Sequence, residues 1–169
     1  MESLQPAGRS GGANVVGICF LAVPAFAQND QSHNEASLTM QATGPFDVTV
    51  TPQDDKSEDP LLNRMLLDKQ YHGDLEGTGK GQMLTAGTAV KGSGAYVAIE
   101  KLSGSLKGRS GSFILQHMGT MNNNAPQLTI TVVPDSGTGE LAGITGKMNI
   151  RIAADGKHSY EFEYTLETD

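Results

Sequence analysis

Two ionisable residues stand where strand-like stretches are otherwise apolar, and they are the first candidates for chemistry. Glu100 lies in YVAIEKL with Tyr96 and Ala98 on its parity. If Tyr96 faces the interior, Glu100 does too, because successive strand side chains alternate between faces. Desolvation would then raise its pKa and let it serve as an acid or base, or orient a ligand. The opposite register makes it a surface residue. His117 follows Gln116 in SFILQHMGT, so the two point to opposite faces. With Phe113 and Leu115 inward, His117 is inward. With Ile114 and Met118 inward, Gln116 is. A histidine titrates near neutrality and suits acid–base work, although a hydrogen-bonded structural role is commoner. Glu100 and His117 are therefore the candidate catalytic residues. Arg64, Tyr96 and Gln116 are the candidate ligand-binding residues, Arg64 as a partner for Glu100 or for an anionic ligand.

Other constellations fail on spacing. His72, Asp74 and Glu76 alternate along one strand face, as on any polar face in water, and one strand presents a three- or four-ligand metal shell poorly. No metal site is expected. Glu76–Lys80, EGTGK, lacks the first Gly and the Ser or Thr of a phosphate loop, and Gly146-Lys147 is followed by Met. Gly137–Gly143 has the wrong spacing for a dinucleotide fingerprint, so no cofactor is expected. Ser110 and Ser112 are not in G-x-S-x-G.

These residues need a frame, and the chain supplies short strands and glycine turns. It has 169 residues, 21 glycines, 5% aromatics and no Trp, a length suited to one domain. The net charge of −7 argues against nucleic acid and against docking on anionic membranes. Val15–Ala27 is apolar, too short to span a bilayer comfortably, and ends in Ala25-Phe26-Ala27. This is the pattern of a secretory signal over residues 1–27. A polar leader follows at 28–36 and one domain at 37–169. The single Cys19 would leave with the signal, so a periplasmic or extracellular location is expected, with no membrane association after cleavage.

Alternation places strands at Ser37–Val50 (with a break or bulge at Gly44-Pro45), Asn63–Leu75, Gln82–Val90, Ala95–Leu106, Ser112–Met121, Gln127–Val133, Lys147–Ile152 and Lys157–Glu167. Tyr160, Phe162, Tyr164 and Leu166 share a face in the last. The motif G-x-L-x-G occurs three times, around Leu75, Leu106 and Leu141, and predicts hairpin turns at one end, plugged by the leucines. The second continues into a turn at Gly108–Gly111. Eight strands in a meander can close by pairing first with last. The expected fold is all-β, an eight-stranded antiparallel up-and-down barrel, with a two-sheet β-sandwich as the alternative. The acidic stretch Thr51–Pro60 and the other three connections then lie at the opposite end, where a ligand mouth belongs.

The stretches YHGDLEGTG, GRSGSFILQHMGT and VVPDSGTGELAGITG resemble a widespread bacterial family catalogued as a domain of unknown function and placed near the allene oxide cyclase-like barrels. The resemblance spans about Ser37–Leu166. It implies a calycin-like eight-stranded barrel and no particular activity. Within the wider superfamily some barrels are cyclases that hold a flexible apolar substrate, but their catalytic residues match no positions here. Three functions follow as expectations. The first is a barrel binding a small, largely apolar molecule in its lumen. The second is a cyclase or isomerase using Glu100 or His117. The third is a packed-lumen structural or interaction module, and a homo-oligomer is compatible with all three.

Overall fold

A computed structural model describes residues 38–54 and 59–166. The expected signal, the leader and Cys19 lie outside them. The strands are β1 (Met40–Pro52), β2 (Leu62–Tyr71), β3 (Leu75–Gly87), β4 (Gly94–Leu106), β5 (Arg109–Asn122), β6 (Ala125–Val132), the two-residue β7 (Thr138–Gly139), β8 (Thr145–Ile152) and β9 (His158–Thr165). Apart from β7, consecutive strands pair antiparallel, and β1 pairs β9 from Met40↔Tyr164 to Phe46↔His158. With β4 also joined to β5 along its whole length, the sheet closes into an eight-stranded up-and-down barrel. That closure excludes the two-sheet sandwich.

Apart from the two-residue β7 and the exposed start of β6, the strands carry a largely period-two burial pattern, because one face lines the interior and the other meets solvent. On β9, Tyr160, Phe162 and Tyr164 are buried while Glu163 is exposed, and Leu166 beyond the strand is also buried. Two hairpins follow local chemistry. Lys107 and Gly108 both take positive φ between β4 and β5, as do Asn123 and Asn124 between β5 and β6. Two successive left-handed residues give the turn whose twist matches paired strands, and Asn and Gly tolerate it best.

Several boundaries differ from the sequence reading: β2 ends at Tyr71 rather than Leu75, and β7 has no counterpart among the expected strands. The strand β1 does not break at Gly44-Pro45; it runs through, with Gly44 opposite Tyr160 and Pro45 opposite Ser159. The Pro45 carbonyl still accepts from His72 N–H at 3.0 Å, and the His72 carbonyl, which the missing proline donor leaves open, takes the Tyr160 hydroxyl at 3.1 Å instead. The strand β3 begins at Leu75 rather than Gln82, because only His72–Asp74 turn and the glycines after Leu75 are extended ladder residues. The turn after β4 is Lys107-Gly108, and Arg109–Gly111 already belong to β5.

The barrel is packed at one end. Leu75, Leu106 and Leu141 are each completely buried there, as the plug expectation required. Phe113 stacks on Phe162 with ring centres 5.5 Å apart, and Phe162 on Tyr164 at 5.1 Å. Between β6 and β8 the ladder is reduced to one pair, Thr131↔Lys147. The intervening segment instead lays β7 against the start of β5 and folds Leu141 inward on short turns. Near the middle, Tyr160 Oη accepts from the Leu75 N–H at 2.8 Å and donates to the His72 carbonyl at 3.1 Å, tying β9 to the β2–β3 turn.

Candidate functional site

Above the packed end, four polar side chains meet inside the barrel: Lys69 and Tyr71 from β2, Glu100 from β4 and His117 from β5. Their exposures are 5%, 0%, 0% and 2%. The backbone brings them together through a gap in β3. Lys69 pairs with Gly79, and Gly81 pairs with Glu100. A side chain at either glycine would stand between β2 and β4 on the inner face. A Cβ at Gly79 would overlap Glu100 Oε1 and reach within 3.1 Å of the Tyr71 ring. Gly79 and Gly81 thus make room for the charged cluster. They shape the floor of the site, and the phosphate-loop look of EGTGK has this structural origin.

Within the cluster, Lys69 Nζ lies 2.6 Å from Glu100 Oε2 and 3.3 Å from Tyr71 Oη. Tyr71 donates to Glu100 Oε1 at 2.9 Å. His117 Nε2 stands 3.0 Å from Glu100 Oε2, yet it makes no aligned hydrogen bond. Lys69 Nζ also sits 5.2 Å from the centre of the Phe46 ring, in cation–π range. Burial pushes the Glu100 carboxyl up, but the contact with His117 and the charge and hydrogen bond of Lys69 together outweigh it and hold the pKa below the ordinary value. Glu100 is therefore a carboxylate at neutral pH, contrary to the raised pKa expected from burial alone. Burial, then the Glu100 charge and hydrogen bond, push the Tyr71 phenol well up, so it stays a donor.

On the mouth side of the cluster is a cavity of about 520 Å³. Phe46, Val48, Leu67, Met83, Leu128 and Ile150 line its walls, with Lys69, His117, Tyr96 and His158 among its polar residues. It opens toward the end formed by the β1–β2, β3–β4, β5–β6 and β8–β9 connections, where the sequence reading put a mouth. Glu100 is not in the lining. It lies behind Lys69 and His117, bonded to the first and 3.0 Å from Nε2 of the second.

The structure divides the sequence candidates. Tyr96, Glu100 and His117 face inward. Tyr96 lies over Gly119, its partner across β4 and β5, and a Cβ there would overlap the ring. Arg64 and Gln116 do not join them. Both have outward parity and line a hollow on the outer surface with Leu66, Leu84, Val97 and Ile99. Arg64 is 3.4 Å from Gln82 Oε1 there, and Lys69, not Arg64, pairs with Glu100. The Phe113–Leu115–His117 parity is the one realised, so Gln116 is excluded from the lumen by alternation. Lys69 was legible on the same rule, since it shares parity with Leu67 and Tyr71, but a lysine in a strand reads as solvated. His158 sits in a turn-flanking position and gives no comparable signal. His72 lies 3.6 Å from Asp47 and 3.9 Å from Glu76 on the outside. Among the described residues no group of three His, Cys, Asp or Glu is close enough to hold a metal.

Fold and site define a small closed β-barrel with a packed base, a buried ionic cluster and a cavity above it. The chain belongs to the family described as "Protein of unknown function (DUF3224)", whose model matches residues 42–164. A crystal structure of a protein with unknown function from the same family, from Shewanella oneidensis MR-1, is similar at 47% sequence identity. It aligns with a TM-score of 0.73 over 78% of this chain and 100% of that one. No curated protein matches the chain.

Proposed function

We propose that the barrel binds a small, largely apolar molecule in its lumen. The observation that carries this reading is the open cavity of about 520 Å³, within the size range of small-molecule sites and, like them, mostly apolar with a few convergent polar groups. A protein without a ligand would gain by filling such a space, since unfilled core volume costs stability. The apolar stretch Val15–Ala27, ending in Ala25-Phe26-Ala27, supports export of the barrel to the periplasm or exterior.

Native mass spectrometry of the purified protein tests the binding reading. A co-purifying small molecule is expected in the wild type and should be lost in Thr85→Trp, which fills the lumen opposite Tyr96. A folded wild type that carries nothing and takes up no apolar probe would sink the reading.

One observation favours catalysis as a second reading. His117 lines the cavity with the buried Glu100 carboxylate 3.0 Å from its Nε2, which puts an imidazole suited to proton transfer against the lumen beside a carboxylate. In an isomerase or cyclase of this form His117 moves the proton and Glu100 positions it. For any substrate found, His117→Gln should abolish turnover while weakening binding far less; equal loss of both would exclude the reading.

A further inference from the structure

Resting on the lumen-binding reading, we propose that the ligand carries a single carboxylate, seated on Lys69 and His117, with its apolar body pointing to the mouth. Two observations carry this. Among the described residues every acid–base group lining the cavity is a nitrogen base or a phenol: Lys69, His117, His158 and Tyr96. No Asp or Glu lines it, although the chain has 19 acidic residues against 12 Lys and Arg. The one carboxylate of the cluster, Glu100, is spent behind the lining on Lys69, Tyr71 and the approach of His117.

The second observation is a donor count. A lysine ammonium has three hydrogens. Two are used, on Glu100 and Tyr71, which leaves one for an acceptor in the cavity. His117 is nine-tenths buried and its Nε2 lacks an aligned partner. An acceptor with negative charge answers both, and burial strengthens charge-assisted bonds. A phosphate would bring more charge and more acceptors than one spare ammonium hydrogen and one imidazole can meet, and no Arg lines the cavity. A cationic head would meet Lys69 in a water-poor site. Toward the opening the lining offers the apolar body Val50, Met121, Leu128 and Ile152.

Calorimetry at neutral pH with three probes of one chain length tests this: octanoate, 1-octanol and octyltrimethylammonium. Octanoate is expected to bind at least about tenfold tighter than octanol, as one charged hydrogen bond implies, and the ammonium not at all. Because Lys69→Met alone strands a buried carboxylate, the double variant Lys69→Met/Glu100→Gln is the comparison, with circular dichroism confirming the fold. Its preference for octanoate over octanol should fall to within about twofold, the charged bond being gone. Equal binding of octanoate and octanol by wild type, tighter binding of the ammonium, or an unchanged preference in the double variant overturns the carboxylate proposal and leaves the lumen reading standing. Binding of none of the three overturns both.

Discussion

Lys69 and Glu100 form an ion pair, 2.6 Å between Nζ and Oε2, on strands that are not neighbours. They meet across β3 because its inner face is glycine at 79 and 81. Removing one partner of a buried pair leaves an uncompensated charge, which typically costs about 3–5 kcal/mol. Lys69→Met is expected to lose about that much in urea unfolding. Lys69→Met/Glu100→Gln should recover most of it, since neutralising both members is far cheaper than orphaning one. Equal destabilisation by the single and double variants would show that the pair is not coupled.

Gly79→Ala follows from the same geometry. The added methyl would overlap the Glu100 carboxylate and press on the Tyr71 ring, so the cluster must shift. Overpacking a core usually costs about 1–3 kcal/mol, and here it also disturbs a charged hydrogen-bond network. The urea midpoint should fall by that amount. In Glu100→Ala, which opens the space, the same glycine substitution should cost much less. Additive effects in that double-mutant cycle would remove Gly79 from the role assigned to it.

The barrel is legible in the sequence because every strand is half-buried, and alternation then declares both strand and face. Tyr160, Phe162 and Tyr164 are the plainest case. Eight such strands with short returns leave closure as the simplest way to remove edges. The site is legible only by half. Tyr96, Glu100 and His117 follow from parity once one anchor is known, and the apolar pair Phe113 and Leu115 supplies it for His117. What alternation does not reveal is contact between strands two apart. Lys69 reaches Glu100 through missing side chains on β3, and a glycine in a strand reads locally as a turn or bulge rather than as space for a neighbour's carboxylate. Arg64 and Gln116 attract notice for their chemistry, but their parity sends them outward.

Glu100 also sets a pH dependence. Its folded pKa lies below the ordinary value because His117 and Lys69 outweigh the opposing effect of burial. The unfolded carboxyl, near the usual pKa of about 4.3, takes up its proton first as the solution is acidified. The stabilisation is therefore complete above the unfolded value and is lost as pH falls through the folded one. Wild type should lose stability more steeply than Lys69→Met/Glu100→Gln below about pH 4.3, the unfolded pKa. Parallel urea midpoints across that range would contradict the assignment.

Tyr160 gives the converse at alkaline pH. Burial is the largest cause raising its phenol; Asp74 and Glu76 add to it, the Leu75 N–H bond opposes, and the result is a pKa pushed up to about 12. A phenol raised on folding stabilises fully below its unfolded pKa of about 10, and that contribution is lost as pH climbs toward the folded value. Tyr71, raised in the same sense, leaves part of the decline in place when Tyr160 is removed. Tyr160→Phe should therefore flatten, without abolishing, the fall in stability above about pH 10. At neutral pH the same variant strands the Leu75 N–H that Tyr160 now accepts at 2.8 Å, in a place where Leu75 is completely buried. An unmet buried donor costs about 1–3 kcal/mol. A variant as stable as wild type at neutral pH would mean that water reaches the β2–β3 turn, and the closed end of the barrel would then be less sealed than its three leucines make it.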